Sequence, residues 1–169
     1  MAASASSSHK PDDQSRPKRQ ACVFRTGNRF YCLDVDDIVY IYPACEVTPV
    51  PQSLPTIKGV VNIHGQIVPV LDMRMKCEHI ATEIDPSHQF IMIAIDGKKL
   101  VLHVEEVAGV VHLDEATFHD AEAILPGISM ISGIVKFADN LAMLYDTGAF
   151  FAEELQDHPA ASVQAISGE

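Results

Sequence analysis

Gly59-Val60-Val61-Asn62-Ile63-His64-Gly65-Gln66-Ile67-Val68-Pro69-Val70-Leu71-Asp72-Met73-Arg74 is the stretch on which the fold turns. Two runs rich in β-branched residues flank His64-Gly65-Gln66, which reads as a hairpin. Pro69 has no backbone donor, so its position is expected at a sheet edge or a bulge. Asp72 is placed to cap a short helix over Arg74 to Ile80. An exposed edge with apolar neighbours is a candidate docking site for another protein.

Three more pairs of apolar runs lie outward of this stretch. Cys22 to Arg25 and Phe30 to Leu33 flank Thr26-Gly27-Asn28-Arg29. Phe90 to Ile95 and Leu100 to Val104 flank Asp96-Gly97-Lys98-Lys99. Ile134 to Phe137 and Leu141 to Tyr145 flank Ala138-Asp139-Asn140. Asp-Gly favours a hairpin because type I′ turns need positive φ. Each half opens with a hairpin and runs through acid, Asp34 to Asp37 or Glu105-Glu106. Each then reaches a Leu-Pro step, Leu54-Pro55 or Leu125-Pro126, and closes with a Gly-led hairpin and an Asp. Gly59 and Gly133 are 74 residues apart, as are Asp72 and Asp146. That equal offset predicts a duplicated unit. Small β units close on themselves to hide their edges, so the expectation is two barrels of about five strands each. Helix is scarce: beyond the turn after Asp72, Thr147 to Leu155 predicts a terminal helix with Phe150, Phe151 and Leu155 on its apolar face.

The 169 residues suit one domain or two small lobes sharing a core, burying roughly 70% of the unfolded surface without staples. The net charge of −11 is unevenly spread. Residues 78–169 carry three basic and sixteen acidic side chains, whereas 21–77 carry five of each. The second half repels phosphate backbones, which argues against a nucleic-acid partner; it suits a basic protein partner or plain solubility. Residues 1–19 are Ser-, Pro- and Lys/Arg-rich and predict a disordered tail, with 156–169 a second frayed end. The four cysteines show no C-x-x-C, and no signal peptide or membrane-length apolar run is present. The expectation is a cytoplasmic protein with reduced thiols and no direct membrane insertion.

Motifs for chemistry are missing. There is no G-x-S-x-G, no G-x-G-x-x-G and no phosphate-cradling loop. His103, His112 and His119 are the closest histidine group, at spacings that match no helical metal site. A small metal-dependent enzyme using these histidines and the nearby carboxylates stays open as an alternative class.

The opening stretch resembles the signature of the CheW-like family, the coupling proteins of bacterial chemotaxis, approximately G-V-x-N-L-R-G-x-x-V-P-V-x-D-L-R. The resemblance covers about residues 20–155. It includes the opening hairpin, Val47-Thr48-Pro49-Val50-Pro51, Val104 to Val111, Leu125-Pro126-Gly127 and Leu144-Tyr145-Asp146. It implies a mostly β fold: two SH3-like five-stranded barrels around a shared hydrophobic interface, at about 20–80 and 88–155, the second with the terminal helix. It also implies a non-enzymatic adaptor without cofactor or metal. The implied partners are the cytoplasmic tips of chemoreceptors and the regulatory domain of the histidine kinase CheA, with recruitment to membrane-associated receptor arrays.

Carried over by motif, the partner-facing candidates are Ile38, Asn62, His64, Gly65 and Val68. From the residues alone, Ile38 and Val68 equally fit a core, and Asn62 and Gly65 a turn. The sequence departs from the family where His64 replaces the usual Arg. By alignment back from Thr48-Pro49-Val50-Pro51, Tyr40 replaces a Glu of the earlier strand. Tyr40 and His64 are thus expected to share a neutral hydrogen bond in place of a charge-assisted pair. The departures point to a diverged adaptor with altered receptor coupling, or to an array component that binds CheA but not receptors.

Overall fold

A computed structural model describes residues 19–156. The tails expected at either end fall almost wholly outside those residues. Among the described residues, eleven strands form two sheets. The six-stranded sheet contains β1 (Gln20–Thr26), β2 (Arg29–Asp34), β8 (Glu106–His112), β9 (Phe118–Asp120), β10 (Ile131–Phe137) and β11 (Asn140–Tyr145), in the order β8-β1-β2-β11-β10-β9. The five-stranded sheet contains β3 (Ile38–Pro43), β4 (Ile57–Ile63), β5 (Gln66–Asp72), β6 (Gln89–Ile95) and β7 (Lys98–Val104), in the order β3-β6-β7-β5-β4. The helices are short: α1 (Met73–Glu78), α2 (Ala121–Ile124), α3 (Thr147–Phe150) and α4 (Ala152–Leu155). The terminal helix expected over 147–155 is therefore broken at Phe151, and its cap is Asp146, which accepts from Ala149 N.

All four hairpins form, and their apolar runs explain the architecture. In β1, Ala21 and Val23 face the core of the six-stranded lobe, while Phe24 faces a second core. In β2, Cys32 joins the first and Tyr31 and Leu33 the second. Hairpin β6–β7 does the same: Phe90, Met92 and Val101 fill the five-stranded lobe, and Ile91, Ile93, Leu100, Leu102 and Val104 face the shared core. A hairpin apolar on both faces must sit between two hydrophobic layers, which is why these runs show no polar alternation. The shared core is completed by Leu71, Met73, Phe150, Phe151 and Leu155.

The lobes are not the consecutive halves 20–80 and 88–155 expected from the sequence. Each lobe takes its opening hairpin from the other half. The chain crosses between sheets through a single 3-10 turn, Val35–Asp37, and returns through Glu105 alone. Closing strand β5 pairs in parallel with β7, and β11 with β2, so each closing hairpin docks on the opening hairpin of the opposite half.

The duplication itself is borne out in register. β4–β5 pairs Ile57 with Leu71 and then Gly59 with Val70, skipping a residue. β10–β11 pairs Ile131 with Tyr145 and then Gly133 with Leu144, the same irregularity 74 positions on. Pro69 is a correction: β5 is an inner strand, not an edge. Its partner Val60 exchanges both backbone bonds with Thr48 on the far side, so Pro69 faces a pair that needs no donor. On its other side, pairing with β7 begins only at Val70. The missing N–H therefore removes no ladder bond.

Candidate partner-binding site

The turn of the deciding hairpin is built tightly. His64 (φ +50°) and Gly65 (φ +83°) both take left-handed backbone, the signature of a two-residue type I′ turn. Asn62 Oδ1 accepts from Gly65 N at 2.9 Å, so Asn62 is a turn-former here. A Cβ on Gly65 would meet nothing within 4 Å, so the glycine answers to φ rather than to crowding. His64 projects beside Tyr40 of β3, their ring centroids 6.2 Å apart and tilted by 52°. The two outer strands of the five-stranded sheet thereby meet across its open end. The contact is between rings; the hydrogen bond expected between Tyr40 and His64 is not formed.

Val68 is only 2% exposed and packs within the five-stranded lobe, so it belongs to the core and leaves the docking set. Ile38 is half-buried against the shared core. Of the sequence-derived candidates, Tyr40, His64, Asn62 and Gly65 cluster at one end of the five-stranded lobe. Ile38 lies at the start of β3, where that strand leaves the shared core.

Two residues that sequence reasoning missed come forward from the register. β3 pairs Ile38 with Ile93, then Tyr40 with Met92 and Ile41 with Ile91, with a bulge after Ile38. Ile91 and Ile93 belong to the shared core, so Ile38 and Ile41 lie on that side of the sheet. Ile41 runs beyond the core's edge and is 42% exposed. β8 repeats the arrangement. Val107 lies opposite Phe24 and packs on the shared core; after a bulge, Val110 lies opposite Cys22 on the same face and is 55% exposed. β3 and β8 are end strands of their sheets, so each has an unpaired edge. Val39 and Tyr40 extend the exposed apolar surface on β3. Matched bulged edges beside one interface present apolar side chains and free backbone groups, the requirements for docking a partner segment. The signal that could have located them is the offset of 69 from Ile38 to Val107, repeated from Ile41 to Val110.

The histidine group expected as an alternative metal site separates. His103 is buried in β7, His112 ends β8 and His119 lies in β9. Among the described residues no group of three or more His, Cys, Asp or Glu side chains could hold a metal ion. No helix of the described residues is long and apolar enough to cross a membrane. Burial pushes the Cys22 thiol up to about 11 and the Cys32 and Cys77 thiols up to about 12, which keeps them protonated near neutral pH.

Two lobes sharing one core, with apolar bulged edges on either side of it, define a twin-barrel interaction module. Residues 20–155 match the CheW-like domain, and the chain belongs to that family. It is 28% identical over 134 residues to the chemotaxis protein CheW of Bacillus subtilis strain 168, covering 78% of this chain and 86% of that protein. It is 24% identical to CheW of Klebsiella aerogenes over 134 residues, covering 78% and 81%. The fold is similar to the crystal structure of the scaffolding protein TtCheW from Thermoanaerobacter tengcongensis. That match has a TM-score of 0.68 at 23% identity, over 80% of this chain and 93% of that one.

Proposed function

We propose that this protein is a non-enzymatic cytoplasmic adaptor that couples the cytoplasmic tips of chemoreceptors to the regulatory domain of the histidine kinase CheA. The observation that carries the reading is the pair of matched edges, Ile38 and Ile41 on β3 and Val107 and Val110 on β8, flanking the shared core. An adaptor works by holding two partners at once, so that each raises the effective concentration of the other. Binding requires no reacting group, and the apolar edges supply area and unpaired backbone.

The test is reconstitution with a receptor signalling fragment and a CheA regulatory domain, each offered alone and then together. Wild type is expected to retain both. Ile41→Glu and Val110→Glu, each placing a charge on an exposed position, are expected to weaken receptor retention at least tenfold without changing the circular dichroism spectrum. Unimpaired receptor retention by both variants would refute the assigned edges. A second reading, an array component that binds CheA alone, is favoured by the ring contact of Tyr40 with His64 in place of a charged pair. Under the leading reading, His64→Arg alters receptor affinity; strong wild-type binding left unchanged by the substitution counts against a diverged coupler.

A further inference from the structure

The connector from α1 to β6, residues 79–88, is seated on the five-stranded lobe by a chain of polar contacts. Thr82 N donates to Asp72 Oδ2 at 2.8 Å, and Lys58 Nζ lies 3.3 Å from the same oxygen while donating to the Thr82 carbonyl. Asp72 Oδ1 meanwhile caps α1 through Arg74 N and Met75 N. Ile84 packs against the lobe core. At the far end, the His88 carbonyl accepts from Ala44 N at 3.0 Å, just beyond β3. An open cleft of about 560 Å³ runs between the connector and the Ala44–Val47 loop, with Lys58 in its wall.

Beneath the connector, His88 Nδ1 and His103 Nε2 lie 2.8 Å apart. His103 follows Val101 on the inward face of β7, is 2% exposed, and meets the Phe90 ring edge to face, with ring centroids 5.8 Å apart. The proton between the rings can be assigned. Asp85 N also donates to His88 Nδ1, at 3.3 Å, so that nitrogen is an acceptor. The shared proton therefore belongs to His103 Nε2. Neutral His103 then carries a bare Nδ1, which is buried and has no partner. A second proton would sit on that nitrogen with nothing to receive it.

We infer that the His88–His103 contact is an acid-sensitive latch, which holds the connector closed while His103 is neutral and releases it when His103 takes up a second proton. The titratable groups facing His103 are Lys58 of β4, Asp72 of β5, His88 of the connector and Glu105 after β7, and the Asp85 carboxylate faces His88 from within the connector. Burial first, then Lys58, holds the His103 imidazole down at about 4, while Asp72 and Glu105 pull the other way and His88 adds to the lowering. Opening the connector exposes the His103 ring to water and restores its ordinary affinity for protons. The sign follows from linkage: the open form binds the proton more tightly, so opening is favoured as pH falls from about 6.5 towards 4. The latch is independent of which partner the protein binds.

The test is amide hydrogen exchange of the full chain at pH 7 and pH 4.5, each rate divided by the intrinsic rate at that pH. Residues 79–88 are expected to lose protection roughly 50-fold on acidification. The histidine-free hairpin 20–34 is expected to stay protected. In His103→Gln, whose amide can still donate to His88 but does not titrate, the loss should shrink to within about threefold. Nitrogen NMR of the wild-type imidazoles gives a reading that does not depend on the variant folding: His103 should carry its proton on Nε2 and titrate near pH 4. Four results would each overturn the latch: constant protection of the connector, equal loss in both segments, a wild-type response in His103→Gln, or a His103 midpoint near 6.5.

Discussion

Gly59 and Gly133 show what a single position does in this fold. A Cβ on Gly59 would lie 2.0 Å from the Thr48 carbonyl oxygen, and one on Gly133 2.7 Å from the His119 carbonyl oxygen and 2.1 Å from the Phe118 ring. At both places the start of a closing hairpin is crossed by another backbone segment. Gly59 also has φ +151°, which few side chains tolerate. Gly59→Ala is therefore expected to cost about 2–3 kcal/mol in urea unfolding, from clash and strain together. Gly65→Ala, with open space around it and only φ to satisfy, should cost about 1 kcal/mol. Equal losses at the two sites would mean that crowding at Gly59 is relieved by an easy shift of Thr48. The sequence marks Gly59 and Gly133 as a pair through their spacing, but not the reason, because the crossing segments are distant in the chain. Tyr40 and His64 were legible as neighbours by motif. Ile41 and Val110 were not, since an exposed apolar residue on a bulged edge reads like any core residue in a strand.

Among the elements, hairpins were legible and their partners were not. Turn chemistry is local, so Asp96-Gly97 and His64-Gly65 announce themselves. Which sheet a two-faced hairpin joins depends on cores built elsewhere, and here each joins the opposite half. Helix docking is likewise a long-range matter. Glu154 of α4 is 4% exposed, and its carboxylate accepts from Lys76 Nζ of α1 at 2.7 and 3.0 Å and from Thr56 Oγ1 at 3.1 Å. The Lys76 ammonium also lies 5.3 Å from the Phe150 ring centre. Glu154→Ala strands a largely buried cation and a hydroxyl, and should cost about 3 kcal/mol. Replacing both partners, Lys76→Met with Glu154→Ala, removes the stranded charge and should recover most of that loss. A double-mutant cycle by urea unfolding checks it; strict additivity would show that the two side chains do not act as a pair.

At the scale of the whole molecule, exchanged hairpins couple the lobes. β1 and β2 are held by β8 and β11, which arrive only with the second half, and β6 and β7 are held by β3 and β5 from the first. The shared core draws on both halves as well, from Phe24 to Leu155. An ion network reinforces the junction: Arg25 of β1 binds Glu105 at 2.9 Å and Glu106 at 3.2 Å. Arg74 of α1 binds Glu78 at 3.0 Å and approaches Glu105 at 3.8 Å. Neither half can bury its opening hairpin alone, since one face would find no cover. Residues 1–80 produced as a fragment should therefore lack dispersed amide NMR signals. Mixing them with residues 81–169 should restore the spectrum of the intact chain. Full-length protein should unfold in one transition, with Tyr fluorescence and circular dichroism coincident. A folded fragment, or two separated transitions, would mean that each lobe is autonomous. In the intact molecule the edges at Ile41 and Val110 are then fixed relative to each other by one cooperative core, which is what an adaptor needs if its two sides are to hold a constant geometry.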